Sequence, residues 1–173
     1  NTDAPDYTIT LSGDSISAEG VQVEGTTVTI TEMGDYHVSG TLSDGQIVVD
    51  AKGEDIRIIL EGADISCSTS APIYVKKALL VNIWLAEGTE NTVTDAVSGG
   101  SQKAAIYCKV HLELKGKGTL NVYGKLAHGI KSAEYMQMRK CTVNILEAVK
   151  DGISCDQYFL MESGTLNISG TGD

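Results

Sequence analysis

Apolar residues fall at every second position through most of the chain, and the alternating runs are only four to six residues long. Ile56-Arg57-Ile58-Ile59-Leu60, Val81-Asn82-Ile83-Trp84-Leu85, Leu112-Glu113-Leu114-Lys115, Met136-Gln137-Met138-Arg139 and Phe159-Leu160-Met161-Glu162 form one series of such runs. A second series is Gly118-Thr119-Leu120-Asn121-Val122, Cys141-Thr142-Val143-Asn144-Ile145 and Gly164-Thr165-Leu166-Asn167-Ile168, offset by 23 residues twice. A third begins at turns and reads Pro72-Ile73-Tyr74-Val75, Ala105-Ile106-Tyr107-Cys108, Gly129-Ile130-Lys131-Ser132 and Gly152-Ile153-Ser154-Cys155. A period of 2 is the signature of strands with one buried face, and a 3.6-residue period never takes over. A unit of about 23 residues with three such strands cannot bury its own apolar face, so it must stack on copies of itself. The fold expected is therefore all-β, a three-sided right-handed parallel β-helix of about six coils, each series making one flat sheet.

In that arrangement Ile73, Ile106, Ile130 and Ile153 form an inward column, with Val75, Cys108, Ser132 and Cys155 beside it. Ile58, Ile83, Leu114, Met138 and Met161 form another. A single domain over 1–173 is expected, with an irregular amino-terminal cap over 1–25 and regular coils over 27–173. The final coil is expected to be unfinished, since the period calls for a further strand where the chain reaches Asp173. Leucine-rich and propeller repeats are excluded by the absent Leu-x-x-Leu-x-Leu register and four-strand blade.

Composition agrees, because 19 glycines against two prolines and one Phe suit short strands joined by tight turns. Thirteen Lys and Arg against 23 Asp and Glu give a net charge of −10, which repels phosphate backbones and anionic membranes. No nucleic acid partner and no membrane insertion are expected. The amino end, Asn1 to Asp6, has no signal-peptide character, so an exported form has already lost its leader. Cys67, Cys108, Cys141 and Cys155 lie 41, 33 and 14 residues apart, without the paired spacing of a zinc site. They read as small core hydrophobes, and no His partner marks any of them as a nucleophile.

The segment Gly34-Asp35-Tyr36-His37-Val38-Ser39-Gly40-Thr41-Leu42-Ser43-Asp44-Gly45-Gln46-Ile47, then Ala71-Pro72-Ile73-Tyr74-Val75 and Gly88-Thr89-Glu90-Asn91-Thr92-Val93-Thr94-Asp95, resembles the bacterial carbohydrate-binding domain-containing proteins. The resemblance covers about residues 9 to 173. It implies a calcium-binding right-handed parallel β-helix, secreted or at the cell surface, with plant polysaccharide, including acidic pectic polymers, as ligand. The Asp-Asp-Gly-Ile turns of the family stand here as Lys150-Asp151-Gly152-Ile153 and His128-Gly129-Ile130, where acids are missing.

Calcium takes about six to eight oxygen ligands, which equivalent carboxylates on adjacent coils can supply. Asp151 and Asp173, 22 residues apart, are the candidate pair, with Glu147 and Asp156 completing the shell. Asp44 and Asp95 occupy comparable turns without a partner at that offset and read as turn formers. For the saccharide, Tyr74 and Tyr107 stack outward beside Lys76, Lys109 and Lys131. Aromatic faces suit the apolar face of a pyranose and ammonium groups suit its carboxylate. Ordinary cross-strand pairing accounts for the same residues. Trp84 also faces outward, and the amino-terminal segment is expected to lie over it. Asn121, Asn144 and Asn167, with Asp64, Thr92 and His37 on earlier coils, read as a structural ladder.

A binder of acidic polysaccharide without catalysis is expected first. A lyase needs a base beside calcium, yet Arg57 and Arg139 lie far from the Asp151 turn and leave only Lys131 or Lys150 for that task. A third possibility is a structural subunit that forms homo-oligomers or calcium-stabilised filaments by end-to-end stacking.

Overall fold

In the computed structural model, which describes residues 3–169, every regular element is a strand. In chain order they are β1 (Asp6–Gly13), β2 (Ile16–Ala18), β3 (Gln22–Glu24), β4 (Thr27–Ile30), β5 (Gly34–Leu42), β6 (Gln46–Asp50) and β7 (Asp55–Ser66). Then come β8 (Ile73–Lys77), β9 (Leu80–Leu85), β10 (Glu90–Thr94), β11 (Ala104–Cys108), β12 (His111–Gly116) and β13 (Thr119–Gly124). The last are β14 (His128–Ser132), β15 (Met136–Met138), β16 (Thr142–Ala148), β17 (Ile153–Cys155), β18 (Phe159–Met161) and β19 (Thr165–Ile168).

These strands make two sheets, which corrects the expectation of a three-sided right-handed parallel β-helix with three separate flat sheets. One sheet has twelve strands and is curled, and the other has seven and is mixed. The reason lies in the long strands. The first half of β7 pairs with β9 and its second half with β10, so a single ladder turns the corner and carries two arms. Strand β5 makes the same corner beside it, and Gly40 and Gly62 stand there at φ +93° and +84°. That left-handed region is open to glycine at little cost. At Gly40 a Cβ would also run into the carbonyl of Leu11. The first arm runs β18-β15-β12-β9-β7, the second β7-β10-β13-β16-β19, and the separate sheet β17-β14-β11-β8-β6-β4-β3. Neither sheet is purely parallel, because β2 lies antiparallel on β1 and β3 antiparallel on β4.

The pairing registers follow the offsets visible in the sequence. Ile73, Ile106, Ile130 and Ile153 are ladder neighbours, as are Ile58, Ile83, Leu114, Met138 and Met161. Of these, Ile58, Ile73, Ile83, Ile106, Leu114, Ile130 and Met138 are fully buried between the sheets, whereas Ile153 is half-buried and Met161 is exposed. Each buried Ile or Leu contributes roughly 1.5–3 kcal/mol relative to exposure.

The four cysteines are free, three buried and Cys155 half-buried. Burial pushes the Cys108 thiol up to about 12 and the Cys141 thiol up to about 11, so the reactive thiolate is scarce. A thiol-disulfide reagent is therefore expected to modify Cys155 first in the native protein and the other three only on unfolding. Rapid native modification of Cys108 or Cys141 would contradict this packing.

Candidate functional site

The third series of alternating runs becomes β8, β11, β14 and β17, and its outward positions build one surface strip. Tyr74 pairs with Tyr107, Tyr107 with Lys131 and Lys131 with Ser154. Ile73, Val75, Ile106, Cys108 and Ile130 on either side point inward and are buried, which fixes the tyrosines outward. The two phenol rings lie 6.0 Å apart between centroids and are tilted by 54°. Lys109 brings its Nζ to 5.7 Å from the centroid of the Tyr74 ring, a cation–π contact. Lys131 donates to Asp156 Oδ1 at 3.1 Å. A register shift between Val49 and Asp50 sets Asp50 opposite Lys77, so Lys76 stands exposed at the margin. The structure thus brings Tyr74, Tyr107, Lys109 and Lys131 together and leaves Lys76 beside them. Two half-buried aromatic surfaces flanked by ammonium groups can hold a sugar ring and a carboxylate at once.

Of the four carboxylates expected to share calcium, the structure describes three. Asp173 lies outside the described residues. Asp151 and Asp156 stand beyond opposite ends of β17, and Asp156 is taken by Lys131. The carboxylate of Asp151 lies 3.3 Å from His128 Nδ1, and its backbone N–H donates to the same nitrogen at 3.3 Å. Burial lowers the His128 pKa, with Asp151 opposing and Lys131 and Lys150 adding to the shift. The imidazole is therefore neutral at pH 7 and accepts from that N–H. Glu147 sits at a bulge opposite Tyr123, where its Oε2 is buried without a hydrogen-bond partner. Among the described residues no three His, Cys, Asp or Glu side chains converge as a metal site. Asp151, Glu147 and Asp156 thus form no such cluster by themselves.

Two carboxylates behave differently from what their turn positions suggest. Asp44 accepts from the backbone N–H of Ser68 at 2.8 Å and from its hydroxyl at 2.6 Å, and these bonds hold its carboxyl below the ordinary range. Asp95 is only 4% exposed and accepts from the Lys125 N–H at 2.5 Å, while its Oδ2 has no partner. The signal that Asp95 is buried, a ladder bond from its own N–H to Tyr123, is a tertiary contact that spacing along the chain does not disclose.

On the first arm, Arg57 forms a bidentate pair with Asp35 at 3.0 and 2.8 Å, and its guanidinium lies 5.5 Å from the centroid of the Trp84 ring. Trp84 is 36% exposed. The amino-terminal segment does not cover it, because β1 pairs along β5 instead. The Asn ladder forms on the second arm, with Asn167 Nδ2 donating to Asn144 at 2.8 Å and Asn144 Nδ2 to Asn121 at 3.1 Å. Thr92 and Asp64 continue it, but Thr41 rather than His37 stands next in line, and His37 pairs with Ile59 on the first arm.

The model of a family described as carbohydrate-binding domain-containing protein matches residues 24–173. A carbohydrate-binding domain-containing protein of Acetivibrio thermocellus is 35% identical over 141 residues, which is 75% of this chain and 49% of the relative. The chain thus spans about half the length of that relative. A solved structure of a polysaccharide lyase-like protein from C. thermocellum, a gadolinium derivative, shares the fold with a TM-score of 0.78 at 24% identity, covering 95% of this chain and 97% of that one.

Proposed function

The chain belongs to the carbohydrate-binding domain-containing protein family, and from that premise we propose that it binds an acidic polysaccharide of the pectic type on the strip of β8, β11 and β14, without cleaving it. The observation that carries the proposal is the tilted Tyr74–Tyr107 pair with Lys109 over one ring and Lys131 beside the other. A protein of net charge −10 repels a polyanion at long range, so a local excess of lysine on an aromatic floor is what makes such a ligand selective for this face. Lys131 is paired with Asp156 at 3.1 Å, which orients its ammonium on the strip. In this role the protein works outside the cell, where such polymers lie.

Retention on immobilised polygalacturonate is the test. The protein is expected to be retained more strongly there than on a neutral glucan, and a Tyr74→Ala, Tyr107→Ala double variant is expected to lose about tenfold or more in affinity. Equal retention of wild type and double variant would remove the strip from the account. Loss of retention on adding chelator would assign calcium a part through Asp151 and Asp173. Release of unsaturated products absorbing in the ultraviolet would overturn binding without cleavage.

A further inference from the structure

A shallow depression of about 190 Å³ lies on the outer face of the first arm, lined by Trp84, Lys115, Gly116, Arg139 and Lys140. Its side chains come from three neighbouring strands or the turn after one. Trp84 of β9 pairs with Lys115 of β12, and Arg139 directly follows Met138, the ladder partner of Leu114. Strands are about 4.8 Å apart, so an indole, an ammonium and a guanidinium stand in a row at that interval.

The indole is held from one side. Arg57, fixed by both oxygens of Asp35, covers the ring at 5.5 Å, yet over a third of Trp84 remains open to solvent. Charge is the second feature. Lys115 meets Glu113 at 3.0 Å and Arg139 stands 3.8 Å from Glu162, whereas Lys140 enters no ion pair among the described residues. Three cations against two carboxylates leave the depression positive on a chain of net charge −10. The backbone gives the third feature. Lys140 is, among the described residues, the one non-glycine with positive φ, at 69°, and its N–H donates to Ser163 Oγ at 3.1 Å. A long cation is thus kept at a position whose conformation favours glycine, a pattern associated with functional sites. Gly116 supplies a floor without a side chain, because a Cβ there would run into the carbonyl of Leu85.

We infer that this depression is a second saccharide site, on a different sheet from the tyrosine strip, and that it takes a uronate. The apolar face of the pyranose lies against the open part of Trp84, and its carboxylate meets Arg139 and Lys140. The inference rests on the polysaccharide-binding proposal but uses none of its residues. A neutral sugar would use the indole and leave the cations idle, so the acidic ring is the ligand the whole group fits. Two sites on separate sheets make the protein bivalent toward a polymer or able to join two of them.

The chain contains one tryptophan, so its emission reports on this depression alone. Titration with trigalacturonate is expected to change that emission saturably, with an affinity at least about tenfold better than for a neutral trisaccharide of the same length. The change should persist in the Tyr74→Ala, Tyr107→Ala variant. It should weaken about tenfold in an Arg139→Gln, Lys140→Gln variant. A Lys140→Gly variant separates ligand loss from damage, because it relieves the backbone and is expected to match or exceed wild-type thermal stability while binding trigalacturonate more weakly. No emission change under conditions where the protein still binds polygalacturonate through its tyrosines would overturn the second site and leave the strip standing. Equal response to the neutral trisaccharide, or an unchanged affinity in the Arg139 and Lys140 variant, would overturn it as well. An intact tryptophan response with no effect of the tyrosine substitutions on retention would overturn the strip instead.

Discussion

Replacing Asn91 by leucine is expected to cost about 2–4 kcal/mol of stability, although the two side chains have nearly the same shape. Asn91 is fully buried at an inward position of β10, where the next strand carries Leu120. Its Oδ1 accepts from the N–H groups of Gly62 and Ala63, both at 2.9 Å, and its Nδ2 donates to Thr89 Oγ1 at 3.0 Å and to the Thr119 carbonyl at 3.1 Å. Those two N–H groups lie at the corner where β7 passes from one arm to the other, between its pairings with Leu85 and with Thr92. On the side of β9 and β10 the corner has no ladder partner, and the amide side chain takes its place. A leucine would fill the space and strand the Ala63 N–H away from water, which costs about 1–3 kcal/mol for that group alone. Urea unfolding at neutral pH measures the loss, and a loss below about 1 kcal/mol would mean the corner finds other partners.

Asp95→Asn is expected to stabilise the protein above about pH 6.5, by about 2 kcal/mol, and to leave it nearly unchanged near pH 4. Burial pushes the Asp95 carboxyl up to about 6 from 3.8, the N–H groups of Lys125 and Leu126 oppose the shift, and the charge of Glu147 adds to it. The folded-state pKa is thus raised above the unfolded value, so folding takes up a proton between the two. That favourable contribution is complete below the unfolded pKa and is lost as pH rises from about 4 to about 6. The sign is opposite to that of Asp35, whose carboxyl Arg57 holds below the usual range. Asparagine keeps an oxygen for the Lys125 N–H and carries no charge to repel Glu147. The difference in melting temperature between wild type and variant, followed across pH, cancels the titration of His37 and His128, whose shifts are common to both. A variant less stable than wild type at pH 7 would show that the charged carboxylate has a favourable partner.

Much of this was legible in the spacing of residues. A period of 2 fixes which side chains point inward, and an offset of 23 residues fixes which of them become neighbours, so Asn121, Asn144 and Asn167 could be aligned from the sequence. Tyr74 and Tyr107 could be paired for the same reason. The number of sheets could not be read in this way. It depends on whether a strand breaks or turns at a corner, and that is decided at Gly40 and Gly62 by backbone conformation and by a distant amide, Asn91. Of the calcium shell expected around Asp151 and Asp173, a short strand separates Asp151 from Asp156 and Glu147 stands at a bulge opposite Tyr123, while Asp173 lies outside the described residues. The exposure of Trp84 was equally hidden, because it follows from where β1 pairs, and that edge lies on the far side of β5.

The central claim is recognition of an acidic saccharide by the Tyr74–Tyr107 strip, and calorimetric titration with oligogalacturonate tests it most directly. Wild-type protein is expected to bind with saturable heat, weakening as salt is raised, and the Tyr74→Ala, Tyr107→Ala variant, folded by circular dichroism, to bind about tenfold or more weakly. Identical binding by wild type and variant, or no heat from any acidic saccharide, would contradict it.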